Sequence, residues 1–339
     1  MKNTQTFIIA EAGANHNRNK ILAVDLIRAA IKAKANAVKF QTYSSETLYS
    51  KDTPDFAGYK NINKLIKDIE LPRNWQSDLK LYCDDNGIEF MSTPFDERAV
   101  DELYEIGVKR FKIAGFEATD PRFVKYVAST GLPLIISLGI GTHTGNWATV
   151  RETILSENRS ADITFLHCNH SYPTPYEDIN LGQMKLLEDW ASDFNIKVGL
   201  SDHTEGILVP PIAVALGAQV IEKHYTINRN LPGPDHSFAI KPKELIDMVK
   251  NIRAAETMLN IKTAKYTGSE KSFVMATRSV VIKSNVKKGD MITLDNVTTK
   301  RPLLENSIPA SQYYDIIGKR FNKNLESDSI LKEYDIESA

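Results

Sequence analysis

The sequence predicts a (β/α)8 barrel followed by a small, mostly β domain. Three features carry this. Short β-branched apolar runs alternate with longer segments of helical periodicity, the alternation repeats eight times, and it stops after Leu259. Parallel neighbours need right-handed helical crossovers, and eight strand-helix units close a sheet within the roughly 250 residues typical of such barrels.

In chain order the predicted strands are 7–11, 37–40, 89–92, 110–113, 133–137, 163–167, 198–200 and 219–223. Each is a short apolar run bounded by polar turn residues. Helical periodicity falls between them at 20–34, 97–106, 147–155, 182–193 and 208–216, with 243–259 after the last. A doubly wound open sheet is the alternative. It would have fewer strands, and no G-x-G-x-x-G follows the first one.

The segment 260–272 is polar and Lys-rich and carries Gly268, which reads as a linker. The expected division is a barrel over 1–262, a linker over 263–278 and a small domain over 279–339. Within the last, strand signals lie at 279–282, 292–294, 297–300 and 330–336, with a Lys287-Lys288-Gly289-Asp290 turn. So short a piece buries a modest core and is expected to lean on a partner surface.

The 339 residues are 42% hydrophobic and 25% charged with a formal net charge of -1, so no field for nucleic acid or a membrane surface is implied. The beginning of the chain lacks the apolar segment of a signal peptide, and no run approaches the roughly 20 apolar residues of a membrane span. Cys83 and Cys168 form neither a C-x-x-C pair nor a disulfide framework. The expectation is two reduced thiols in a cytoplasm.

Barrel chemistry sits at the carboxyl ends of the strands. Those ends hold Glu11; Lys39 and Gln41; Ser92 and Thr93; Lys112 and Glu117; Ser137; His167, Asn169, His170 and Tyr172; Ser201, Asp202 and His203; and Glu222, Lys223 and His224. Side chains alternate along a strand, so only part of this set can face the mouth. His203 and His224 end neighbouring strands and could share a metal ion or serve as structural imidazoles. So few protein ligands would favour Mn2+ or Mg2+. Lys39 and Lys112, with Thr93, Ser137 and Ser201, could hold a phosphate or carboxylate; one lysine could instead pair with Glu11 or Glu117, or Lys112 could be a Schiff-base nucleophile. Either glutamate could act as general base, orient a sugar hydroxyl or form a salt bridge. The proline-rich stretches 172–178 and 232–236 read as stiff loops that could line a pocket or simply turn.

At these residues the sequence closely resembles the sialic acid synthase family, which makes N-acetylneuraminic, legionaminic and pseudaminic acids. The likeness spans the chain through Ile8-Ile9-Ala10-Glu11-Ala12-Gly13-Ala14-Asn15-His16, Val38-Lys39-Phe40-Gln41-Thr42 and Ser92-Thr93-Pro94-Phe95. It continues through His167-Cys168, Tyr172-Pro173-Thr174-Pro175-Tyr176-Glu177-Asp178, Gly199-Leu200-Ser201-Asp202-His203-Thr204, Glu222-Lys223-His224-Tyr225 and Pro232-Gly233-Pro234-Asp235. The end, with Ser279-Val280-Val281 and Lys300-Arg301-Pro302, is similar to that family's antifreeze-like (SAF) domain; ice binding is not implied.

The resemblance implies a phosphoenolpyruvate-dependent synthase acting on an N-acetylated hexose. His203 and His224 would ligate a divalent metal, Mn2+ first, with Mg2+ or Co2+ as substitutes. Lys39, Thr93, Lys112, Ser137, His170 and Ser201 would surround phosphoenolpyruvate. Glu11, Gln41, Tyr172 and Asp235 would face the sugar, and Glu117 the reacting carbons; Glu11, Glu117 and Lys39 are the catalytic candidates. In a domain-swapped homodimer, Arg301 would come from the partner chain. Three positions depart from the family pattern: Gly115 where serine is usual, His170 where asparagine is common and Leu138 where threonine is usual. Two other readings stay open: a Schiff-base aldolase using Lys112, and a non-catalytic sugar- or anion-binding barrel.

Overall fold

A computed structural model describes residues 5–55, 58–140, 146–260, 263–264 and 266–337. The expected barrel end at 262 and the last two residues of the small domain lie outside these. Two compact units divide the chain, Met1–Asn260 and Ile261–Ala339.

The first unit alternates eight strands with helices: β1 (Phe7–Gly13), α1 (Lys20–Ala33), β2 (Ala37–Thr42), α2 (Ile62–Ile69), α3 (Gln76–Asp85), β3 (Glu89–Pro94) and α4 (Glu97–Glu105). Then follow β4 (Phe111–Ile113), α5 (Pro121–Ser129), β5 (Leu134–Leu138), α6 (Asn146–Glu157), β6 (Ile163–Cys168), α7 (Leu181–Ser192), β7 (Lys197–Asp202), α8 (Val209–Ala215), β8 (Val220–His224) and α9 (Pro242–Met258). The strands are all parallel, in the order β3-β2-β1-β8-β7-β6-β5-β4. The outer strands β3 and β4 pack side by side, so the sheet is a nearly closed barrel. Local chemistry sets the helix starts: the Asn19 side chain accepts from the N–H groups of Ile21 and Leu22, and Asp96 from that of Ala99. Lys34 ends α1 in the left-handed region at φ 62°.

Strand alternation separates two cores. Ile8, Val38, Phe90, Ile136, Phe165, Leu200 and Ile221 point outward under the helices. Ile9, Ala37, Met91, Ile135, Leu166 and Val220 point inward and form their own cluster, the floor of the barrel. Gly199 belongs to that floor. A Cβ there would lie 2.1 Å from the Val220 carbonyl oxygen and 2.8 Å from Leu166 Cδ2. Gly199→Ala is therefore expected to cost about 3 kcal/mol through overpacking, read as a lowered urea midpoint; an unchanged midpoint would contradict so tight a floor.

The second unit holds the antiparallel pair β9 (Ser279–Ile282) and β10 (Val297–Lys300), with Val297 opposite Ile282. Val280, Ile282, Val286, Ile292, Val297, Ile308, Ile316, Phe321 and Leu331 form its core. Two sequence expectations need correction. Residues 292–294 are not a strand, because Asn296 Oδ1 accepts from the Thr293 N–H at 2.9 Å and turns the backbone out of a ladder. The 330–336 segment pairs through isolated bridges, Ile330 with Val281, Lys332 with Ser307 and Ile336 with Phe321, because a 3-10 turn at Glu333–Asp335 interrupts it. Among the described residues, no helix is long and apolar enough to cross a membrane.

Candidate active site

Directly above the apolar floor, the inward positions become polar. Lys39 and Lys112, both buried, reach into the barrel from β2 and β4 and share one carboxylate: Glu222 Oε1 lies 3.8 Å from Lys39 Nζ and 3.7 Å from Lys112 Nζ. Lys39 Nζ also pairs with Glu11 Oε2 at 2.8 Å and donates to Thr93 Oγ1 at 2.7 Å. Lys112 Nζ donates to Ser137 Oγ at 2.8 Å and to the Ile113 carbonyl at 3.2 Å, while Ser201 Oγ donates to Glu222 at 3.2 Å. Burial opposes charge on every member, and the partners decide the outcome. Burial alone would lower Lys39, yet Glu11 and Glu222 hold it above the usual lysine value. Lys112, more thinly compensated, is lowered by burial, while Lys112 and Lys39 hold Glu222 below the usual range against its own burial. Burial pushes Glu11 up to about 7. Two lysines thus face Glu11 and Glu222 among hydroxyl donors, and a proton taken up by Glu11 would leave the layer with an excess positive charge, a cradle for an anion.

One layer further out stand the histidines. The ring centroids of His203 and His224 are 5.3 Å apart. His203 Nδ1–H donates to the Asn169 carbonyl at 2.6 Å, which leaves the Nε2 lone pair for a ligand. His224 Nδ1 is buried without a hydrogen-bond partner. Burial holds His203 at about 4 and His224 well below the usual imidazole value, so both are neutral, the form that binds metal. Among the described residues, no group of three or more His, Cys, Asp or Glu side chains converges on a point. Two neutral nitrogens fit a divalent ion whose other ligands are oxygens of water and substrate.

Around this centre, Gln41 Nε2 donates to Glu11 Oε1 at 2.9 Å, and the Tyr172 ring lies 4.1 Å from that of His203. Asp235 Oδ2 sits 3.6 Å from His224 Nδ1. Burial raises the Asp235 carboxyl to about 6. Gly13, at φ +51°, makes its room: a Cβ there would stand 2.9 Å from Asp235 Oδ2. His170 borders the same cavity as Lys39, Lys112 and Ser201. Glu117 begins a 3-10 turn after β4 and does not line that cavity. Its Oε2 is buried without a hydrogen-bond partner, and burial lifts the carboxyl to about 7, with Lys112 pulling it down. Arg301 belongs to the second unit.

Several strand-end residues point away from the mouth. Lys223 pairs with Asp202 at 2.7 Å, Ser92 bonds Thr42 at 2.7 Å, and the His167 Nε2 is 2.7 Å from the Ile179 carbonyl. Two residues of the cradle were given no role in the sequence reading. Glu222 links both lysines, and its signal was present in the sequence: it stands two residues before His224, on the same strand face. Cys168 also lines the cavity, but burial pushes its thiol up to about 12, so it is packing and not a nucleophile.

Comparison with known proteins adds to this geometry. Residues 26–264 match the NeuB family, and residues 277–337 match the SAF domain. An N,N'-diacetyllegionaminic acid synthase of Legionella pneumophila is 39% identical over 340 residues, covering 96% of this chain and 93% of that protein. A pseudaminic acid synthase of Campylobacter jejuni is 34% identical over 340 residues, covering 98% and 96%. The crystal structure of an N-acetylneuraminic acid synthetase from Leptospira borgpetersenii, in complex with citrate, superposes with a TM-score of 0.72 at 34% identity, over 80% of this chain and 91% of that one.

Proposed function

This chain belongs to the NeuB family of nonulosonic acid synthases, and from that premise we propose that it condenses phosphoenolpyruvate with an N-acetylated hexose and water, releasing phosphate. The observation that carries the reading is the buried layer in which Lys39 and Lys112 share Glu222, 3.8 and 3.7 Å away, beneath a pair of neutral histidines.

In this reading the two ammonium groups and the hydroxyls of Thr93, Ser137 and Ser201 hold the phosphate and carboxylate of phosphoenolpyruvate. The dry floor below them excludes water. Glu11 and Gln41, with Tyr172 and Asp235, orient the open-chain sugar so that its aldehyde carbon meets C3 of phosphoenolpyruvate. A divalent ion on His203 and His224, Mn2+ first, would supply Lewis-acid polarisation of the aldehyde. The C3–C1 bond forms as the enol electron pair moves, and C2 becomes an oxocarbenium centre. Water adds to C2 and gives its proton to a buried carboxylate, Glu117 behind the cavity wall or Glu11 lining it, each with a pKa of about 7 that suits a base near neutrality. The bond from C2 to the bridging oxygen then breaks: the C2 hydroxyl becomes the ketone, its proton leaves with inorganic phosphate, and the proton taken up by the carboxylate passes to the former aldehyde oxygen, which becomes a hydroxyl.

Acceptor candidates are N-acetylmannosamine and the 2,4-diacetamido-2,4,6-trideoxy hexoses. Phosphate release from phosphoenolpyruvate with Mn2+, each sugar in turn, tests the reading. Sugar-dependent release that disappears with chelator is the expected result; release with none of them would sink the reading. Pairing of chains, with Arg301 serving the partner's barrel, is part of the proposal, and light scattering that finds only monomer removes it. The lowered Lys112 amine favours one rival, a Schiff-base aldolase. Borohydride with pyruvate would then trap an adduct on Lys112; under the synthase reading it traps none.

A further inference from the structure

The loop after β8 is tied to the turn after β1 by one buried imidazole. His236 lies between Thr226 and Asn17: its Nδ1 is 2.7 Å from the Thr226 hydroxyl and its Nε2 is 3.1 Å from Asn17 Oδ1. The proton positions follow from the partners. Asn17 Nδ2 donates to the Pro232 carbonyl at 2.8 Å, a group that only accepts, so Asn17 Oδ1 is the acceptor and the imidazole Nε2–H the donor. In the neutral ring that burial favours, Nδ1 then accepts from Thr226 Oγ1, which itself takes the Asn228 N–H at 3.2 Å. The hydrogen bonds therefore run in one direction from Asn228 through Thr226, His236 and Asn17 to Pro232. The backbone is shaped to this chain. Asn17 sits in the left-handed region at φ 46°, which asparagine tolerates, and Gly233, at φ +143°, leaves out a Cβ that would stand 2.9 Å from His236 Cδ2. Asp235, the residue before His236, reaches across the same seam. Its carboxylate takes a hydrogen bond from the Ala14 backbone in the turn after β1, and Oδ2 stands 3.6 Å from His224 Nδ1. The two side chains part: Asp235 turns to His224, and His236 to Asn17 and Thr226.

We propose that His236 is a positioning residue for the acceptor sugar: by bolting the loop after β8 to the turn after β1, it fixes the Asp235 carboxylate at the sugar end of the site. The inference rests on the reading above in which Asp235 orients the sugar, and it involves none of the phosphoenolpyruvate contacts. One backbone step separates the two residues. A ring released from Asn17 and Thr226 lets the carboxylate shift by the fraction of an ångström that decides whether it meets a sugar hydroxyl.

The test is a mutant cycle in the full chain, with phosphate release measured against each substrate in turn: His236→Phe, which keeps the ring volume and loses both hydrogen bonds, Asp235→Ala, and the double variant. His236→Phe is expected to raise the sugar KM about tenfold while the phosphoenolpyruvate KM stays within about twofold of the parent. Asp235→Ala is expected to raise the sugar KM as well. In that background His236→Phe is expected to change it by less than about twofold further, because the carboxylate it acts through is gone. His236→Gln, which can still donate to Asn17, is expected to recover part of the sugar KM, and it carries the same cycle if His236→Phe melts too low to assay. The proposal is overturned if substitution at His236 raises the sugar KM equally with and without the Asp235 carboxylate, if both KM values rise together, or if Asp235→Ala leaves the sugar KM at the parent value. A parent that releases no phosphate with any candidate sugar sinks the synthase reading instead. Amide hydrogen exchange then decides the tie: faster exchange in His236→Phe confined to 13–19 and 226–236 supports it, and any other pattern overturns it.

Discussion

Lys39→Met is expected to lower phosphate release by about a thousandfold, since it deletes an ammonium group aimed at developing charge in a dry site. It is also expected to destabilise the barrel by about 3 kcal/mol, the typical result of removing one partner of a buried ion pair. The geometry gives the reason. Lys39 Nζ is 2.8 Å from Glu11 and 3.8 Å from Glu222, so both carboxylates lose a compensating charge at once. The pH dependence has a definite sign. Without Lys39, the folded-state pKa of Glu11 rises further above its unfolded value, so the folded state binds more protons than the unfolded one between the two values. The parent shares that loss up to about pH 7, so the variant's extra deficit from Glu11 grows as pH rises above about 7. Paired thermal melts of parent and variant at pH 5 and pH 8 read this directly. A deficit independent of pH would mean that Lys39 does not compensate a buried carboxylate.

The second large effect concerns Glu117. As the base for water addition it must be deprotonated, so the rate in the parent is expected to rise with pH through about 7. Glu117→Gln should lower kcat by about a hundredfold to a thousandfold and remove that acid limb. Stability moves the other way: the folded pKa of about 7 lies above the ordinary 4.5, so the buried carboxylate costs the fold stability as pH rises through that window. Removing the charge should therefore narrow the stability gap, or reverse it, above pH 7. Glu11 is the competing assignment, because burial brings its carboxyl to about 7 as well. Steady-state pH profiles of Glu117→Gln and Glu11→Gln decide between them: the variant that keeps the acid limb does not carry the base.

Much of the barrel was legible before the structure. The eight strand positions agree with the observed strands to within a residue or two at their ends, because apolar β-branched runs between helical segments are a local signal. Lys39, Lys112, Thr93, Ser137 and Ser201 were picked out as strand-end residues and do come together around one carboxylate. The small unit was less legible, since most of its pairing is by isolated bridges that have no periodicity to read.

Local pattern places each strand end and, through its two-residue period, shows which neighbours share a face: Ser201 with His203, Glu222 with His224, Lys39 with Gln41. Which face looks inward, and which side chains meet across the barrel, depend on how the sheet closes. Strand 8 shows the difference, since Glu222 turns in to two lysines and Lys223 turns out to Asp202. The fit of His170 into space left by Gly115 and Gly139 was equally invisible, because residues so far apart along the chain give no sign that they touch. The physical reason is one of range. Alternation is a property of a few bonded residues, whereas distances across the mouth are set by closure of the sheet and the packing of eight separate crossovers.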